Sequence, residues 1–167
     1  MMKTILISIR PEWCKLIAER KKTLEIRKTK PKIKTPFKAF IYETKSIDKS
    51  RLMVYIDGNE PCRYYKGIGM VIGEFICDEI INIDVPYPAY QNELDENILK
   101  HSCMTYMQLH QYAGKKRVYG FHISNVVIYN EPKELSDFLV HKDKTYDCPT
   151  LTRLKNAPQS WCYVEEV

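Results

Sequence analysis

Lys22-Thr23-Leu24-Glu25-Ile26-Arg27 brings an ammonium, a hydroxyl, a carboxylate and a guanidinium into one short run. Side chains alternate between the two faces of an extended strand, so Thr23, Glu25 and Arg27 share one face and Leu24 and Ile26 the other. Arg27 on such a face can hold a phosphate bidentately, with Lys22 adding a point charge. Glu25 can accept from the amino group of a base, or act as a general base if burial raises its pKa. The same residues also suit an internal ion pair, Glu25 with Arg27 or Arg10, which needs no chemistry at all.

Downstream, Lys28-Thr-Lys30-Pro-Lys32-Ile-Lys34 is a basic segment able to track a phosphate backbone, or simply to sit in water as a soluble loop. Aromatic rings give single-stranded nucleic acid a surface to stack on, and Tyr42, Trp161, Tyr64 and Tyr65 are the candidates. Trp13 belongs to the core by its helical spacing with Leu16 and Ile17. His101, Ser102, Cys103 and His110 match no zinc-ligand spacing, so neither a metal nor another cofactor is expected. His122 alternates with Phe121 and Ile123 and reads as a satisfied barrel histidine. Ser160 lacks the elbow of serine hydrolases, and no glycine-rich phosphate cradle is present.

These residues need elements to position them. Thr4–Ile9 alternates as a strand, and Pro11 opens a short amphipathic helix to Glu19, with Trp13, Leu16 and Ile17 on one side. A strand over 21–28 follows, then the basic loop with Pro31 and Pro36, then a buried strand over Phe37–Glu43. Gly69–Ile83 is a long β run in which Gly73 marks a bulge or a close backbone approach. Leu94–Leu99 and Thr105–Tyr112 are two short helices. Arg117–Tyr129 is a further long strand, Leu135–Phe138 closes it, and residues 158–164 form the last strand. Residues 45–66, with Asp57-Gly58-Asn59-Glu60-Pro61, and residues 139–150 are surface insertions, the first with room for a short hairpin. About five or six strands with short helices packed against them argue for an α+β domain built on a small, partly open β-barrel.

Composition agrees with one domain over residues 1–167. The chain is 44% hydrophobic and 28% charged, ordinary for a globular protein. Its apolar runs fall short of a membrane span, and its start shows no signal-peptide pattern, so a cytoplasmic protein without membrane contact is expected. Six scattered cysteines with no CxxC spacing read as reduced thiols. The net charge of +5 hides an asymmetry: residues 1–40 hold 12 Lys or Arg against three Glu, while the rest carries an acidic excess. Segregation on that scale points to a polyanionic partner.

Several motifs carry a resemblance. Ser8-Ile-Arg-Pro-Glu-Trp13, Lys22-Thr23-Leu24-Glu25-Ile26-Arg27, Ile41-Tyr42-Glu43-Thr44, Gly73-Glu74 and Gly120-Phe121-His122-Ile123 together resemble the ASCH domains, a branch of the PUA-like superfamily. The tail Pro158-Gln-Ser-Trp-Cys-Tyr163 resembles the ending of phage-associated members. The likeness spans the chain apart from about residues 45–66 and 139–150, and Arg20 stands where those domains usually carry glycine. It implies a PUA-like barrel whose polar cleft between barrel and helix takes RNA or a nucleotide. Some members resemble an N4-acetylcytidine amidohydrolase and others are ribonucleases. Lys22 fits the amidohydrolase lysine and Glu74 its distant glutamate, while Glu25 replaces its nucleophilic threonine. The resulting expectation is a domain that binds single-stranded RNA or a nucleotide through Arg10, Lys22, Thr23, Glu25, Arg27, Tyr42, Glu74 and Trp161. The alternatives are a metal-independent ribonuclease or a modified-nucleoside hydrolase with Lys22 and Glu25 as catalytic groups, and a protein-interaction module.

Overall fold

The computed structural model describes residues 4–45, 67–141 and 150–167. The chain runs β1 (Thr4–Ile9), α1 (Pro11–Ala18), β2 (Leu24–Arg27), β3 (Phe37–Glu43), β4 (Val71–Ile83), α2 (Glu96–Ser102), α3 (Tyr106–Ala113), β5 (Val118–Lys133), β6 (Phe138–His141), β7 (Leu151–Arg153) and β8 (Trp161–Glu166). The strands form one eight-stranded sheet in the order β2-β5-β4-β3-β1-β8-β6-β7. β2 and β7 end that order, so the sheet is a partly open barrel. Among the described strands only β1 and β3 run parallel, with Ile7 opposite Ile41 and Ser8 opposite Tyr42. Among the described residues no helix is long and apolar enough to cross a membrane.

Alternation sorts the side chains into three layers. Ile5, Ile7 and Ile9 of β1, Phe37, Ala39 and Ile41 of β3, and Phe75, Phe121 and Ile123 face inward, where Cys14 and Ile17 of α1 cover them. The opposite face of the same strands carries Leu6, Phe40 and Tyr42, packed on Phe138 and Val164. Leu24 and Ile26 of β2 join a third cluster with Tyr106 and Leu109 of α3.

Local chemistry ends the helices. Pro11 stands in the first turn of α1, where its missing N–H costs nothing. Asp95 caps α2 by accepting from the Asn97 N–H, and Thr105 and Gln108 form a reciprocal capping box on α3. Arg20 turns the chain from α1 into β2 with a φ of +62°, in the left-handed region that favours glycine. Its guanidinium donates to the Val126 carbonyl at 2.6 Å, which anchors the turn from the far side.

Three expectations change. The strand expected over 21–28 begins only at Leu24, because the Lys21 and Lys22 N–H groups close the end of α1 onto the Leu16 carbonyl. Among the described residues eight strands replace five or six, since two short ones follow the turn at Leu135–Asp137: β6 pairs with β8, and β7 pairs with β6. Residues 139–141 and 151–153 thus belong to the sheet; 142–149 lie outside the described residues, as do 46–66 with their expected hairpin. Gly73 behaves as expected. The pairing of β4 with β5 is irregular there, and a Cβ would stand 2.3 Å from the Val127 carbonyl oxygen.

A candidate ligand site beside strand β2

β2 lies against β5 with Glu25 opposite Phe121 and Arg27 opposite Tyr119, so both charged side chains turn toward the inner layer. They are buried there, at 5% and 8% exposure, together with Lys22 at 2%. Glu25 joins the two cations: Oε1 meets Arg27 at 2.8 Å and Oε2 meets the Lys22 Nζ at 3.4 Å. Lys22 also donates to the Ser102 carbonyl at 2.6 Å and lies 4.7 Å over the Trp13 ring. Arg27 donates to the Ser8 carbonyl at 2.7 Å, while its Nε–H has no hydrogen-bond partner among the described residues. Two buried cations therefore share one carboxylate. Burial lowers the Lys22 pKa, and the Glu25 charge opposes that shift only in part.

The basic loop leaves β2 beside this cluster and is laced to aromatic side chains of three elements. The Lys28 ammonium sits 5.1 Å from the centre of the Tyr112 ring of α3, and that of Lys30 sits 5.2 Å from the centre of the Tyr119 ring of β5. Trp161 of β8 donates from Nε1 to the Thr29 hydroxyl at 3.1 Å, and the Tyr163 hydroxyl accepts from the Lys32 N–H at 2.7 Å. Ile33 packs on the inner layer. Tyr112 packs with Leu24 and Ile26 in the third cluster, where burial raises its pKa and the charges of Arg27, Glu25 and Arg10 also act on it.

No protein-family model and no curated protein matches this sequence. Among solved structures, the chain is similar to ASCH from Zymomonas mobilis, with a TM-score of 0.63 and 21% identity over 98% of this chain and 88% of that one. It is also similar to a Tyr-to-Phe variant of the same protein, with a TM-score of 0.62 and 20% identity over 98% of this chain and 91% of that one. The chain has the ASCH-domain fold. Identity at this level carries the fold alone.

Within this ASCH fold the sequence-derived residues separate. Lys22, Glu25 and Arg27 come together, with Trp161 on the same inner layer and Arg10 exposed just ahead of α1. Thr23 does not join them: it precedes the strand, and its hydroxyl and N–H meet the Nδ1 and carbonyl of His101 at 2.8 and 2.9 Å. Tyr42 and Glu74 lie on the opposite face of the sheet. Tyr42 is buried among Phe40, Phe138 and Val71, and Glu74 is held by Lys38 at 2.8 Å and the Tyr129 hydroxyl at 2.5 Å. Alternation along β3 turns Phe40 and Tyr42 away from Ala39 and Ile41, and Glu74, the β4 partner of Phe40, points away from Phe75. His122 pairs with Asp78 at 2.6 Å. Tyr64 and Tyr65 lie outside the described residues.

Sequence reasoning missed Tyr112, Tyr119 and Glu12. Tyr112 follows Leu109 at helical spacing and so resembles core, and Tyr119 gains its place only from the register opposite Arg27. Glu12 resembles an ordinary first-turn carboxylate but is 1% exposed, and its Oε2 has no hydrogen-bond partner among the described residues. Burial raises its pKa against the pull of its own backbone N–H and of Arg10. The native state therefore holds this proton more tightly than the unfolded chain does. The stabilisation is complete below the unfolded pKa near 4.5 and is lost as pH rises through the raised native value. Glu12→Gln removes the buried charge, so it should stabilise the protein at neutral pH by roughly 0.5–2 kcal/mol. Urea melts across pH should show the gain shrinking toward pH 4. A variant less stable than wild type at neutral pH would mean that the carboxylate has a partner.

Proposed function

We propose that this protein binds RNA or a nucleotide at the face where the basic loop meets the Lys22–Glu25–Arg27 cluster. The observation that carries the reading is the pinning of the loop. Lys28 and Lys30 are held over aromatic rings beside a cluster with a cation in excess, whereas a merely solvated loop needs no such anchorage. The excess of basic residues in 1–40 supports the same polyanionic partner. Both oxygens of Glu25 are engaged by cations, which favours holding a ligand over taking a proton.

The test is retention of a labelled single-stranded RNA across a salt series, with wild type and Lys28→Gln/Lys30→Gln. Log-log slopes for single strands change by about 0.7 per phosphate contact, so the double variant should bind more weakly with a slope shallower by roughly 1.4. An unchanged slope, or no retention at low salt, would overturn the reading. Retention equal on RNA and on an unrelated polyanion would point to the protein-interaction alternative.

A second reading is enzymatic and rests on Lys22, an amine whose pKa burial lowers and which therefore suits proton transfer. Denaturing gels of the same samples would report strand cleavage that a 2′-deoxy strand abolishes, if the protein is a ribonuclease. Acetate released from N4-acetylcytidine would identify a modified-nucleoside hydrolase.

A further inference from the structure

We infer that the ligand of this face is a single strand whose bases stack on Tyr112 and Tyr119, the two rings that Lys28 and Lys30 now cover. The inference rests on the proposed RNA- or nucleotide-binding function and adds the residues on which the bases stack. Each ring belongs to a rigid element, Tyr112 to α3 and Tyr119 to β5, and each is only partly buried. Their ring faces are reached by ammonium groups of exposed lysines, at 5.1 and 5.2 Å. A face that an exposed, flexible side chain can cover is one that a planar ligand can reach once that side chain moves.

The exchange favours a single strand. A cation–π contact at an exposed site is weaker than a base stacked on an aromatic side chain. A lysine that leaves its ring for a phosphate gains a charge-assisted contact, and the base takes the ring. Only the side chains need to move, because Trp161 holds Thr29 and Tyr163 holds the Lys32 N–H. Arg27 lies opposite Tyr119 in the sheet, its guanidinium buried against Glu25. A duplex cannot use the rings, since its base faces are already stacked inside the helix; it would meet the lysines alone.

The experiment compares a labelled single-stranded RNA of mixed sequence with the same strand annealed to its complement. Wild type, Tyr112→Leu, Tyr119→Leu and the matching Phe variants are tested, each shown to be folded by circular dichroism. Wild type should prefer the single strand. Each Leu variant should lose about 5- to 150-fold in affinity for it with the salt slope unchanged, and each Phe variant should bind as wild type does. Equal binding of both forms, or Leu variants that bind like wild type, would overturn the stacking while leaving salt-dependent RNA binding intact. If neither RNA is retained, the inference and the function beneath it both fail. Should a Leu variant not fold, ultraviolet cross-linking of wild type to a bromouridine-substituted single strand decides the matter. Adducts on the peptides carrying Tyr112 and Tyr119 support the stacking, and adducts confined elsewhere overturn it.

Discussion

Replacing Glu25 with glutamine is expected to lower the unfolding free energy by about 3–5 kcal/mol, the usual cost of leaving a buried charge without its partner. Among the described residues Glu25 is the one carboxylate in direct contact with both Lys22 and Arg27, all three side chains being nearly sealed from solvent. Glutamine keeps the shape and one acceptor but removes the charge, so two buried cations lose their common counterion. Lys22→Met makes the opposite change. It deletes the surplus cation, leaves the 2.8 Å Arg27–Glu25 bond intact and places an apolar chain over Trp13. It should therefore cost far less than Glu25→Gln. Urea unfolding of both variants and of the double variant checks this. A Glu25→Gln loss no greater than that of Lys22→Met would mean that the cations are hydrated rather than paired.

Trp161→Ala is expected to cost about 3 kcal/mol, the low end of the roughly 3–5 kcal/mol range for core aromatics, because the ring is only partly buried. Trp161 stands opposite Ile7 in the sheet, packs on the inner layer and meets the Tyr163 ring edge-on at 5.4 Å. Its Nε1 also donates to Thr29, so the same side chain joins the last strand to the basic loop. Trp161→Phe keeps most of the packing and loses that hydrogen bond, for about 1 kcal/mol. Denaturant melts separate the two variants. An alanine variant that loses less than the phenylalanine one would show a ring lying free on the surface, as a pure stacking residue would.

The two substitutions differ in how far their roles could be read from the chain. The basic and aromatic character of Lys28–Lys34 and Trp161 is visible in the composition, but what they touch is not. Trp161 and Thr29 are joined by a contact across most of the chain, and no local pattern encodes it. The loop therefore reads equally as solvated charge or as a phosphate track until the Tyr112 and Tyr119 rings are found beneath its lysines.

Elements whose signals are local are legible in their own residues. Alternating isoleucines make β1, Pro11 and the Trp13, Leu16, Ile17 spacing make α1, and Phe37–Glu43 makes β3 to the residue. The α+β barrel follows from the order of those elements, and the close approach at Gly73 was legible because only a glycine would be placed inside such a strand. Tertiary structure alone decided the membership of the site. Tyr42 and Glu74 turn to the far side of the sheet, Thr23 is drawn to His101, and Tyr119 meets Arg27, all through strand register and helix docking. Tertiary structure also decided that Lys22, Glu25 and Glu12 are buried. Burial depends on which distant elements cover a side chain, and that sum over long-range contacts is not written in the spacing of its neighbours.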